Sequence, residues 1–139
     1  MDITEGTVQK VAGTLSGGAG LSGTDSRELQ KWLLQYGQAS TALRTEMGKL
    51  AEWMANTICP WAALRALLAN RLVALDKCPG VRPVGIGEAL RRMLAKCVLL
   101  MAKAEAKQAC GSDQLCAGME AGIEGAVHAM SEVWESNLL

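Results

Sequence analysis

Apolar residues recur every three or four positions along most of this chain, and one short segment breaks the rule by gathering them into two blocks. Leu29, Trp32, Leu33 and Tyr36 follow the helical rule, with Asp25 and Glu28 at capping-box spacing before them and Gly37 behind, which predicts a short amphipathic helix. Leu43, Met47, Leu50 and Met54 continue at helical intervals while Arg44, Glu46, Lys49 and Glu52 take other faces. Residues 41 to 56 are therefore expected to be a helix with one buried stripe, capped by Ser40. Pro60 suits the first turn of a third helix beginning at Trp61, where the amide it lacks has no partner.

The two apolar blocks, Leu72 to Leu75 and Val81 to Ile86, flank Lys77-Cys78-Pro79-Gly80, and a Pro and a Gly between two such blocks predict a tight reversal. An antiparallel hairpin over about 71–76 and 81–86 follows. It is too small to stand without helices packed on one face. Behind it, Leu90, Leu94, Cys97, Val98 and Met101 share one face of a helix from 88 to about 107, and residues 113 to 136 read as another. Gly118, Gly122 and Gly125 weaken that last helix by about 1 kcal/mol each relative to Ala, so close helix-to-backbone packing is expected in return. Residues 1–24 are rich in Gly, Ser and Thr and read as a flexible leader. The fold class is α+β, mostly α: about five helices around one β-hairpin, in a single domain spanning residues 25–139.

Composition agrees with one domain. The 139 residues are 50% apolar, enough for a real core. Among the five cysteines there is no C-x-x-C pair and no zinc spacing, so reduced thiols buried as small apolar groups are expected. Met1 to Gly20 is polar and Gly-rich, unlike a secretory signal, and no apolar run approaches the roughly 20 residues of a membrane span. These features predict an intracellular protein, cytoplasmic or nuclear, with no membrane partner. Trp32, Trp53, Trp61 and Trp134 fall on apolar helical faces and are expected in the core, and His128 reads as structural.

Charge changes the picture. The formal net charge of 0 conceals a basic middle and an acidic end. From Arg65 to Lys96 there are seven Lys or Arg (Arg65, Arg71, Lys77, Arg82, Arg91, Arg92, Lys96) against two acids (Asp76, Glu88), a local charge of +5. Residues 109–139 carry five acids (Asp113, Glu120, Glu124, Glu132, Glu135) and no Lys or Arg. A basic hairpin feeding a basic helix is a surface for phosphate, and the same segregation equally suits pairing between a basic and an acidic segment of the chain itself.

The segment K-x-P-G-V-R-P-V-G-I-G-E-x-x-R-R-x-x-A-K, running from Lys77 to Lys96, resembles the fingers hairpin of reverse transcriptases, the RNA-directed DNA polymerases, in their retrotransposon form. The resemblance extends upstream to Gly17-Gly-Ala-Gly-Leu-Ser-Gly-Thr-Asp25 and Trp32-Leu-Leu-Gln-Tyr-Gly37. Downstream it takes in Cys110-Gly-Ser-Asp-Gln-Leu-Cys-Ala-Gly118 and Gly122-Ile-Glu-Gly-Ala-Val-His128, covering about residues 17–136. It implies that Lys77 and Arg82 contact the triphosphate of the incoming dNTP and the nearby template, with Arg91, Arg92 and Gln114 as further nucleotide- or template-binding positions. Arg91 and Arg92 point about 100° apart on a helix, so one of the two is expected to face the template.

The resemblance also implies a partial polymerase. Family members polymerise with two Mg²⁺ ions held by palm-domain aspartates, and no Y-x-D-D-like motif occurs in these residues. The expectation is a fingers fragment that touches RNA or DNA template-primer but cannot polymerise alone: it has no catalytic residues and binds no cofactor, Mg²⁺ belonging to the complete enzyme. Helix 113–136 is then the candidate apolar face left exposed for a missing palm domain or for self-association. The alternative is a helical protein-interaction module with no nucleic-acid role, in which the basic segment meets the acidic C-terminal helix.

Overall fold

In the computed structural model, which describes residues 1–110 and 122–136, the expected loose leader is instead a helix with a buried face. Helix α1 (Glu5–Gly13) begins at Thr4, whose hydroxyl accepts from the Thr7 amide at 3.4 Å. Val8, Val11, Ala12 and Leu15 recur at i, i+3, i+4 and i+7 and are all buried, and Ile3 joins them in the core. The leader's composition hides this stripe, because the residues between the apolar positions are mostly small or polar ones.

The chain divides into two compact units, Met1–Met101 and Ala102–Leu139. In the first, helix α2 (Ser26–Leu34) starts where the capping spacing placed it: Asp25 Oδ1 accepts from the Glu28 amide at 2.8 Å. Gly37, at φ 54°, turns the chain into α3 (Gln38–Asn56). Ser40 does not cap α3. It is buried within the first turn, where its hydroxyl donates to the Trp32 carbonyl at 2.7 Å and accepts from the Tyr36 amide at 2.8 Å, closing the end of α2.

The buried stripe of α3 is also displaced from the expected one, because Ser40, Arg44, Gly48 and Ala51 are inside while Leu43, Met47 and Met54 are half-buried and Leu50 is exposed. The cause at Gly48 is close packing by the segment leading into α1: a Cβ added there would sit 2.8 Å from the Ile3 carbonyl oxygen. Arg44 survives burial because every arm of its guanidinium is satisfied. It pairs with Glu5 and donates to the Leu33 carbonyl at 2.5 Å and to Thr41 Oγ1 at 3.0 Å.

Helix α4 (Trp61–Leu68) follows Pro60 as expected. Strands β1 (Asn70–Asp76) and β2 (Val81–Gly87) form the two-stranded antiparallel hairpin, and α5 (Ala89–Cys110) adds Ala89, Met93, Leu94 and Cys97 to the core of the first unit. The second unit contains the end of α5 and helix α6 (Gly122–Ser136). Among the described residues six helices and one hairpin therefore make up the fold, mostly α within an α+β class. No helix among them is long and apolar enough to cross a membrane.

Aromatic and thiol placements depart from expectation. Trp32, Trp53, Trp61 and Trp134 are all exposed; on α2 the buried positions go to Ser26, Leu29 and Leu33 and on α3 to Ser40, Arg44, Gly48 and Ala51, which leaves Trp32 and Trp53 outside. Of the four described cysteines, all unpaired, Cys97 alone is buried, Cys59 is intermediate, and Cys78 and Cys110 are exposed. The packing expected at the glycines of the last helix is absent at Gly125, where an added Cβ would meet nothing.

Candidate nucleic-acid interface

The hairpin owes its register to its turn. Lys77 donates its amide to the Gly80 carbonyl at 2.9 Å, Cys78-Pro79 lies between them with a cis peptide bond, and Gly80 takes φ 103°, a backbone that L side chains rarely adopt. The ladder then pairs Leu75 with Arg82, Val73 with Val84 and Arg71 with Ile86. Directly paired residues share a face, so Arg71, Val73, Leu75, Arg82, Val84 and Ile86 line one side. Val73, Val84 and Ile86 are the half-buried positions of that side, while Leu72 and Val81 on the other side are exposed. Lys77 directly follows β1, so it and Arg82, near the start of β2, stand at the same end of the hairpin.

Neither the Lys77 ammonium nor the Arg82 guanidinium has a hydrogen-bond or ion-pair partner among the described residues, where the two ion pairs are Arg44–Glu5 and Lys49–Glu46. Both are exposed. Arg71, which the sequence reading counted toward the basic stretch without singling it out, is likewise exposed and unpartnered there. Strand alternation was the signal that could have found it, since Arg71 and Arg82 occupy in-phase positions of their strands. Unpaired Lys and Arg side chains on an exposed strand can donate to phosphate oxygens without first breaking an internal contact.

Arg91 and Arg92 are placed differently. Arg91 donates from Nη1 to the Leu68 carbonyl at 2.8 Å and from Nη2 to Asn70 Oδ1 at 2.7 Å, fastening the base of the hairpin to α5. Gly87 makes room for it, because a Cβ there would collide with the guanidinium. Arg92 donates from Nη2 to the Gly18 carbonyl at 2.5 Å and to Ser26 Oγ at 3.2 Å, and its Nε is buried with no partner among the described residues. Neither arginine is free to face a template in this arrangement: one anchors β1 and the other the segment before α2. Gln114 lies outside the described residues.

Beside them, Glu88 immediately precedes α5 and accepts from both the amide and the hydroxyl of Ser22, at 2.8 and 2.6 Å. The Ser22 hydroxyl, followed by the Ser22 amide, holds its carboxyl below the ordinary value of 4.5. A Cβ on Gly20 would strike Glu88 and one on Gly17 would strike the Arg92 guanidinium, so these two glycines permit close approach to the start of α5. Among the described residues there is no group of three or more His, Cys, Asp or Glu suited to a metal ion, so no step of a metal-dependent reaction is assigned to them.

Comparison with models of protein families, with curated proteins and with solved structures finds no match for this chain.

Proposed function

We propose that this chain is the fingers portion of a retrotransposon-type reverse transcriptase, in which the β1–β2 hairpin contacts the phosphates of an RNA or DNA template-primer and of an incoming dNTP. The observation that carries the reading is the state of Lys77 and Arg82: two exposed cations at one hairpin tip, with no carboxylate bound to either among the described residues. Arg71 extends the basic face along β1. Arg91 and Arg92 drop out as contacts and become the supports that hold the hairpin base and the preceding loop. In this reading Mg²⁺ and polymerisation belong to palm aspartates outside these residues, and the missing palm is the natural neighbour of exposed apolar surface.

A helical interaction module is the second reading, favoured by α6. Ile123, Val127, Met130 and Trp134 recur along one side of that helix and are 62%, 60%, 72% and 72% exposed. Fluorescence-anisotropy titration of the whole chain with an RNA–DNA hybrid at low and moderate salt separates the two. The fingers reading expects salt-sensitive binding that Lys77→Ala with Arg82→Ala weakens by about tenfold or more, whereas Arg91→Ala lowers thermal stability. No binding by the wild type, or none lost in the double variant, defeats it.

A further inference from the structure

A second concave feature of the first unit is unrelated to the basic hairpin face. Leu29, Trp32, Leu43, Met47, Leu67 and Leu90 wall a cavity of about 500 Å³. Ser22, Thr24 and Glu88 also line it and form one connected polar edge, with Ser22 bonded to both Glu88 oxygens and the Thr24 amide donating to Ser22 Oγ at 3.2 Å. Apolar walls with a few convergent polar groups, at this volume, are the usual form of a small-molecule site.

We propose that this cavity binds a small organic cation, a primary ammonium carried on an aromatic or branched aliphatic body, with Glu88 as the anionic anchor and Trp32 as the aromatic wall. The charge of the occupant follows from the charge of the site. Glu88 is the charged side chain of the lining, and no ion pair engages it among the described residues. A carboxylate has about four acceptor sites; the Ser22 hydroxyl and amide and the Leu21 amide take three, which leaves room for an ammonium donor. The carboxyl is ionised at neutral pH, and the Ser22 hydrogen bonds lower it further from its ordinary value of 4.5. Trp32, 41% exposed, is the aromatic residue of the lining, and an indole ring can hold a cation or stack on an aromatic body. Arg91 acts on Glu88 electrostatically without forming an ion pair, so an anionic ligand would still meet a carboxylate at the cavity edge, and a neutral one would leave that carboxylate without a cationic partner there.

The test uses the full chain and three probes of matched shape: phenethylamine, phenethyl alcohol and phenylacetate, followed by amide and indole NMR shifts. Phenethylamine should saturate with a dissociation constant of about 1 mM or below, moving the Trp32 indole N–H and the signals of Leu43 and Leu67. The alcohol should bind at least about tenfold more weakly, and phenylacetate not at all. Glu88→Gln should bring the amine to the level of the alcohol, and Leu43→Trp, which fills the space and leaves the carboxylate, should abolish both. Equal binding of amine and alcohol by the wild type overturns the proposal, as do shifts that map away from Trp32 or amine binding unchanged by either substitution. The wild-type comparison decides the matter even if a variant does not fold.

Discussion

Val8→Ala and Gly13→Ala, both in α1, test the packed leader because they should move stability in opposite directions. Val8 is fully buried, and its replacement removes two methyl groups worth about 0.8 kcal/mol each, with up to about 1 kcal/mol more for the space left behind. The expected loss is about 2 to 2.5 kcal/mol. Gly13 is the last residue of the helix, where an added Cβ would meet nothing and φ is not in the left-handed region, so Ala gains about 0.5–1 kcal/mol of helix preference without a clash. Urea titrations of both variants against wild type, followed by far-UV circular dichroism, read the effects directly. With a slope of about 1.5 kcal/mol per M, Val8→Ala lowers the midpoint by about 1.5 M and Gly13→Ala raises it by about 0.5 M. A flexible leader would leave both midpoints at the wild-type value, and that result would refute the account of residues 1–24 given by the fold.

Two further predictions concern titrating groups. Burial pushes the Cys97 thiol up to about 11, so the folded protein holds that proton where the unfolded chain has released it. The stabilising contribution is complete below the ordinary value of 9.0 and declines as pH rises from there through 11; denaturation midpoints between pH 8 and 11 check it, and Cys97 should be the slowest of the described cysteines to react with iodoacetamide. Glu88 has the opposite sign, because the Ser22 hydroxyl and amide depress its carboxyl. Its contribution is present above 4.5 and disappears as pH falls through the lower folded-state value, so Ser22→Ala should flatten the acid limb of the stability profile below that pH, and an unaltered limb would contradict the assignment.

How much could be read from the sequence depended on whether a local rule or a neighbour decided each position. The Asp25 cap, the start of α4 after Pro60 and the bounds of the hairpin are local matters of capping, ring geometry and turn chemistry, and they stand within a residue or two of expectation. Positions set by a neighbouring backbone were misread. Gly48 is buried on α3 because the Ile3 and Thr4 backbone comes too close for a larger side chain, which no pattern within α3 announces. Gly17 and Gly20 look like flexibility and serve close approach to Arg92 and Glu88. Arg44 was assigned outward by its charge, yet Glu5, 39 residues earlier, makes burial tolerable. In the candidate site, the placement of Lys77 and Arg82 at the hairpin tip was legible from the turn residues and the two apolar blocks. The internal engagement of Arg91 and Arg92 was not, because their acceptors are carbonyls of Leu68 and Gly18, groups that every residue carries.

The attachment of Arg91 at the foot of the hairpin makes that arm a lever with its fulcrum in α5. Each strand has seven residues, and at about 3.3 Å per residue the tip stands roughly 20 Å from the fulcrum. A tilt of about 5° at the foot would swing the tip by nearly 2 Å, more than the tolerance of a hydrogen bond to a phosphate oxygen. Aim at the far end is thus governed by two bonds at the near end. A chemically silent residue such as Gly87, by leaving space for one guanidinium, helps determine where charge is delivered about six rungs away.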